Sequence, residues 1–270
     1  MDYIICEDAI DTIWSLWKNL LDQEDARISM ESIEKGILPH NIEEFIDKDG
    51  YLPAMAIKPQ ISFSEIKAGE NALEKVFDEI RNCSDGIRAC GDEAIINGAL
   101  LLDSIYHTQT YDSLHFAFEL QELLKADDFA LLKKIRSATI KTENHTKVEC
   151  IDAIASLKVK EEGRKHAYSF ATKFCNWVNR DAFPIFDSYV AWLLHYYLHR
   201  DKAVTRFAFT QTSYGSYDKF LAAYKYFRDN LIENGKRMDY KKLDVFMWTM
   251  GKIIDKQASV TYLPLRQGEQ

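Results

Sequence analysis

Residues 169–194 read SFATKFCNWVNRDAFPIFDSYVAWLL. Phe170, Phe174, Trp177 and Val178 fall at i, i+4, i+7 and i+8, on one face of a helix turned toward a core. That helix ends at Asn179-Arg180-Asp181. The apolar link Phe183-Pro184-Ile185-Phe186 follows, and its proline excludes continued helix. Asp187 then stands at the mouth of a second apolar run. Asp-Ser before such a run is a good N-cap, stabilising a helix by roughly 1 kcal/mol. The stretch predicts two helices joined by a rigid apolar strap, with a carboxylate fixed where the second begins.

The same helical periodicity runs outward in both directions. Ile10, Ile13, Trp14, Trp17, Leu20 and Leu21 form an apolar stripe at 3–4 residue spacing near the start. A less regular region with Gly36, Pro39, Gly50, Pro53 and Pro59 extends to about residue 69, with a short extended piece expected in 51–57. Helices are expected over 65–82, 91–107, 111–125, 127–137, 147–157, 163–179, from Asp187 to about His199, 216–233 and 239–255. Residues 210–216 read as a loop and 262–270 as an irregular tail. The fold class is therefore all-α, with two helical lobes flanking a cleft. The division expected is 1–80 as an acidic N-terminal region, 81–182 as one lobe and 183–270 as the other.

Of the 270 residues 47% are hydrophobic, enough for one large domain or two lobes with buried cores. No apolar run approaches the ~20 residues of a membrane span. The first residues, MDYIICEDAIDTIW, carry acids where a secretory signal has a basic region. A cytoplasmic protein without membrane contact is expected. The five cysteines are scattered, with no CxxC and no zinc spacing. Reduced thiols, no metal and no cofactor follow as expectations.

The net charge of −8 hides an asymmetry. Residues 1–130 carry 10 basic and 27 acidic side chains, a net of −17, whereas residues 131–256 carry 23 and 14, a net of +9. Such a division between halves hints at a polyanion-binding surface, although solvated helices also carry lysines.

Within the basic half, Lys165, Ser169, Lys173, Asn176 and Arg180 fall on a second face of the 163–179 helix. This polar stripe opens at the turn Glu161-Glu162-Gly163-Arg164-Lys165. Backbone N–H groups at such a helix start hold phosphate well; an ordinary lysine-rich surface helix has the same pattern. In the last helix Leu243, Phe246, Met247, Met250 and Ile254 form the core stripe, while Trp248 lies off it, one turn after Asp244. That pair would line a pocket or form a second packing surface. Tyr214, in the Tyr/Ser/Gly-rich loop, is a candidate strand contact. Asp47-Lys48-Asp49-Gly50 lacks the ligand order of a calcium loop, and His195 and His199 lack the neighbouring Glu of a zinc protease.

The segment Phe183-Pro184-Ile185-Phe186-Asp187-Ser188-Tyr189-Val190 resembles that of helix-hairpin-helix DNA glycosylases, in which a Pro-containing strap leads into the catalytic aspartate. Gly163-Arg164-Lys165-His166-Ala167 looks like the closing half of that family's hairpin. The resemblance is strong over about 30 residues and most like the 8-oxoguanine glycosylase-like branch. It extends loosely to Leu243-Asp244-Val245-Phe246-Met247-Trp248. Three features depart from the family: the Leu-Pro-Gly-x-Gly hairpin is absent, and Lys165 precedes Asp187 by 22 residues, one turn more than usual. Tyr168 or Ser169 stands at the usual spacing, and neither forms a Schiff base. The iron–sulfur loop of some relatives is missing too.

What the resemblance implies is an enzyme that removes a damaged or modified base from DNA as a monomer, chiefly by base release without strand cleavage. Breaking the N-glycosidic bond builds positive charge on the sugar, and an ionised Asp187 would stabilise that charge or orient water. Lys165, or less readily Lys173, would be the amine of a Schiff-base route. Trp248 would stack on a flipped base and Asp244 would read its N–H groups, while Lys173 and Ser169 face phosphate. The competing expectations are a non-catalytic DNA-binding module of the same fold and a helical protein-interaction domain. The acidic N-terminal region leaves room for a specialised substrate, such as a modified base in foreign DNA.

Overall fold

The computed structural model describes residues 5, 7–20, 27–29, 51–53, 63–82, 92–106, 108, 112–157, 167–201 and 217–258. Helices dominate them: α1 (Glu7–Leu20), α2 (Phe63–Arg81), α3 (Asp92–Tyr106), α4 (Ser113–Ser137), α5 (Asn144–Ala155), α6 (Tyr168–Val178), α7 (Ser188–Arg200), α8 (Tyr217–Tyr226) and α9 (Tyr240–Ala258). Two three-residue strands, β1 (Arg27–Ser29) and β2 (Tyr51–Pro53), pair antiparallel, with Ile28 opposite Leu52. The extended piece expected after residue 50 is β2.

Helix boundaries follow local chemistry. In α4 the helical path breaks at Ala126, and Asp127, Asp128 and Phe129 take φ of 49°, 55° and 61°. This is the junction expected between 111–125 and 127–137. Helix α6 starts later than the expected residue 163: Ala167 is non-helical, because its N–H donates to Ala155 O at the end of α5 (3.1 Å). The first helical bond of α6 is then Ala171 N–H to Ala167 O, 2.8 Å. After α8 the chain widens into a π-turn, Phe227–Leu231. Gly235 follows, where a Cβ would lie 2.0 Å from Arg228 O, so no side chain fits.

The chain forms two compact units. The first holds Ile66–Phe186 and Ser213–Leu221. Its core is built from Phe77, Phe116, Leu120, Ile151, Phe170, Phe174 and Phe183. Phe116 meets Phe170 edge-on at 4.7 Å, and Phe77 meets Phe174 at 5.4 Å. The unit begins near residue 66 rather than at 81, because α2 is part of this core: Phe77 also packs on Trp177 at 5.6 Å, and Arg81 donates to Trp177 O at 2.8 Å.

The second unit gathers Met1–Glu65, Asp187–Thr212 and Ala222–Gln270. It joins the beginning of the chain to its end. Ile5 N–H donates to Leu231 O and Glu233 N–H to Ile5 O, and Lys242 of α9 pairs with Asp11 of α1. Helix α1 is thus integral to this unit, where an appended acidic element was expected. No helix of the described residues is long and apolar enough to cross a membrane.

Candidate functional site

The strap 183–186 is held by hydrogen bonds to its backbone at Phe183, Pro184 and Phe186. Asn176 Nδ2 donates to Phe183 O at 2.7 Å, and Tyr217 Oη donates to Pro184 O at 3.2 Å. Phe186 N–H donates to Thr172 Oγ1 at 3.1 Å, and that hydroxyl lies 3.4 Å from Phe186 O. The Phe186 ring meets Phe220 edge-on at 5.0 Å. Because Thr172 and Asn176 are one turn apart on α6, a single helix face carries the strap along its length. Phe183, Pro184, Ile185 and Phe186 are all buried. Sequence reasoning missed Thr172 and Tyr217 as anchors.

Asp187 leaves this anchored strap half-buried. Its Oδ1 accepts the Val190 N–H at 2.8 Å, and its carbonyl accepts the Ala191 N–H at 2.9 Å. It is the N-cap of α7, as its spacing predicts. A carboxylate here is favoured by the exposed N–H groups and positive end of the helix. Among the described residues no hydrogen bond reaches its second carboxylate oxygen. The cap bond fixes one edge of the carboxylate at the start of α7.

The polar stripe of α6 takes a different place from the one expected. Lys173 was expected on an outer, phosphate-facing surface; it is buried at 5% exposure and donates to Ser169 Oγ at 2.6 Å. Its Nζ also lies 5.8 Å from the Tyr106 ring centre. Asn176 is buried on the strap. Arg180 pairs with Glu74 and lies 4.4 Å over the Trp177 ring. The physical reason is that α6 is surrounded: every residue from Phe170 to Val178 is buried. Its polar side chains therefore bond to protein, since a buried donor without a partner is costly. Ser169 and Lys173 do come together, as a buried-amine–hydroxyl pair within one turn.

Upstream, Tyr168 Oη donates to Asp152 Oδ1 at 2.8 Å, tying α6 to α5. Burial, then the bond to Asp152, pushes the Tyr168 hydroxyl up to about 12. Asn179 ends α6 by donating to three carbonyls at the end of α4, Ile135 O, Arg136 O and Ala138 O, at 2.8–3.1 Å.

In α9 four residues of the expected core stripe, Leu243, Phe246, Met247 and Met250, are at most 1% exposed; the side chain of Ile254 lies outside the described residues. Asp244, with Trp248, was expected to line a pocket or to form a second packing surface. It is 6% exposed and accepts from Tyr224 Oη at 3.1 Å. Burial, and then the Asp244 charge, raise the Tyr224 hydroxyl well above its ordinary value, keeping it a donor. Arg228, bonded to Asp229 and Tyr240, completes this buried polar cluster. Trp248 is half-buried. Lys165 and Tyr214 lie outside the described residues. Among the described residues no three His, Cys, Asp or Glu groups are arranged to hold a metal ion.

Residues 55–182 match the family model HI_0787_N, described as an N-terminal domain. The matched stretch runs through α2 to α6 and ends just before the strap, so Asp187 lies beyond it. An uncharacterized protein of Haemophilus influenzae is 28% identical over 169 residues, covering 60% of this chain and 68% of the relative. No solved structure matches the chain.

Proposed function

We propose that this protein is a DNA N-glycosylase of the helix-hairpin-helix kind, removing a damaged or modified base. The observation that carries the reading is Asp187, a half-buried carboxylate capping α7 at the end of a strap whose backbone is bonded to α6 and Tyr217. A charge held this rigidly needs no reorganisation when positive charge develops on a sugar, the condition under which electrostatic stabilisation is most effective. The flipped base leaves its stack at a cost of a few kcal/mol. Asp187 then stabilises the oxocarbenium-like centre or orients the water that traps it.

Base release without strand cleavage is the favoured outcome. Tyr168 or Ser169 stands at the usual spacing, and Lys173, one of the two candidate amines, is buried against Ser169. With Lys173 and Arg180 bonded to protein groups, this reading leaves the DNA backbone contact to Lys165, which lies outside the described residues.

Asp187→Asn keeps the cap, because Asn and Asp cap helices comparably. It should bind duplex DNA at low salt, where phosphate contacts are strongest, and release no base from a panel of oxidised, alkylated, deaminated and hypermodified substrates. Borohydride trapping that disappears in Lys165→Gln would instead establish an amine route. The cap bond itself, Oδ1 to Val190 N–H at 2.8 Å, favours a second reading. In that reading Asp187 serves only as a cap, and the protein is a non-catalytic DNA-binding module. Binding without release by the wild-type chain would select it.

A further inference from the structure

Gly251 sits inside α9, where glycine is a poor helix former. A Cβ there would lie 2.6 Å from Tyr189 Cβ and 3.1–3.2 Å from its ring. Contacts under 3.0 Å with a Cβ cannot be relieved by rotating a side chain. Tyr189 is two residues after Asp187, in the first turn of α7. Helices α7 and α9 therefore cross at this point, closer than any residue but glycine permits.

The helical repeat decides what else α9 presents at the crossing. Trp248 is three residues before Gly251, about 4.5 Å along the axis and roughly 60° around it. Asp244 is seven before, about 10.5 Å along and nearly in line. The crossing thus fixes how near Trp248, on α9, stands to the α7 start that holds Asp187. Trp248 is half-buried, while its neighbours Met247, Thr249 and Met250 are buried.

We infer that Gly251 is a positioning residue, whose missing side chain sets the separation between the Asp187 end of α7 and Trp248 of α9. The inference rests on the glycosylase reading for its catalytic consequence, although the helix contact stands without it. A displacement of about 1 Å between reacting groups can cost on the order of 10²-fold in rate, so an added methyl at residue 251 acts on chemistry without touching substrate.

The experiment compares wild type, Gly251→Ala, Tyr189→Gly and the double variant, by thermal melting, duplex DNA affinity and single-turnover base release. The substrate is whichever base of the panel the wild-type chain releases. Gly251→Ala should lower the melting temperature although alanine favours helix, keep DNA affinity within about twofold, and slow release on the order of 10²-fold. In the Tyr189→Gly background, where the opposing Cβ is gone, adding Gly251→Ala should raise melting through alanine's helix preference and leave release unchanged. Unchanged melting in Gly251→Ala would overturn the close contact. Lower melting with undiminished release would overturn the positioning role and leave Gly251 purely structural. If the wild-type chain releases nothing, the glycosylase reading fails and takes the positioning role with it, while the melting cycle still judges the contact.

Discussion

Thr172 and Phe186 meet across fourteen residues of chain: the Phe186 N–H donates to Thr172 Oγ1 at 3.1 Å, and the same oxygen lies 3.4 Å from the Phe186 carbonyl. One buried hydroxyl thereby holds the last residue before Asp187 against α6. The hydroxyl also lies 3.3 Å from Ser169 O, so its proton serves one of two carbonyls.

Thr172→Val keeps the volume but leaves the buried Phe186 N–H unpaired, which costs about 1–3 kcal/mol. Urea unfolding should show this loss. Base release should fall further than stability explains, since the strap positions Asp187. A stability loss with full activity would detach the strap from the chemistry.

Asp187 separates capping from catalysis through two substitutions. Asp187→Asn should stay within about 0.5 kcal/mol of wild type and lose base release. Asp187→Ala should also lose roughly 1 kcal/mol of stability. Wild-type release by the Asn variant would remove Asp187 from the reaction.

Asn179→Ala should destabilise the first unit by about 1–3 kcal/mol, because Ile135 O, Arg136 O and Ala138 O share its one amide. Hydrogen exchange should quicken at the end of α4 before it does in α6. Equal quickening throughout the unit would count against a local role.

Stability should decline on the alkaline side. Burial pushes the Cys150 thiol from 9.0 up to about 11, and burial with the Asp152 bond pushes Tyr168 from 10.0 up to about 12. The unfolded chain therefore sheds these protons first, so it binds fewer protons than the folded chain and stability falls as pH rises. The contribution is complete below about pH 9 and is lost progressively to about pH 12. Urea midpoints at pH 8, 10 and 11 test this, and Tyr168→Phe should flatten the decline above pH 10. A midpoint that rises with pH would contradict the assignment.

Much of the fold was legible because helical periodicity is local. The Phe170–Phe174–Trp177–Val178 face, the break within α4, the cap at Asp187 and the stripe of α9 all followed from spacing and side-chain type. Charge was the poorer guide. It assigned α2 to an acidic N-terminal region, whereas Phe77 and Arg81 bind it to α6. It also turned Lys173 outward, when that amine is buried with Ser169 as its partner. A charged residue on a helical wheel does not reveal how many neighbours surround that helix.

The sequence by itself determined the helical class, the rigid strap and the carboxylate at the head of α7, because each depends on residues within a turn or two of one another. Tertiary structure alone decided what anchors the strap, which polar groups of α6 face inward, and that α1 closes on α9 from the far end of the chain. It also decided why Gly251 carries no side chain. Those outcomes depend on which surfaces meet, and burial converts an outward-looking polar stripe into a set of internal hydrogen bonds.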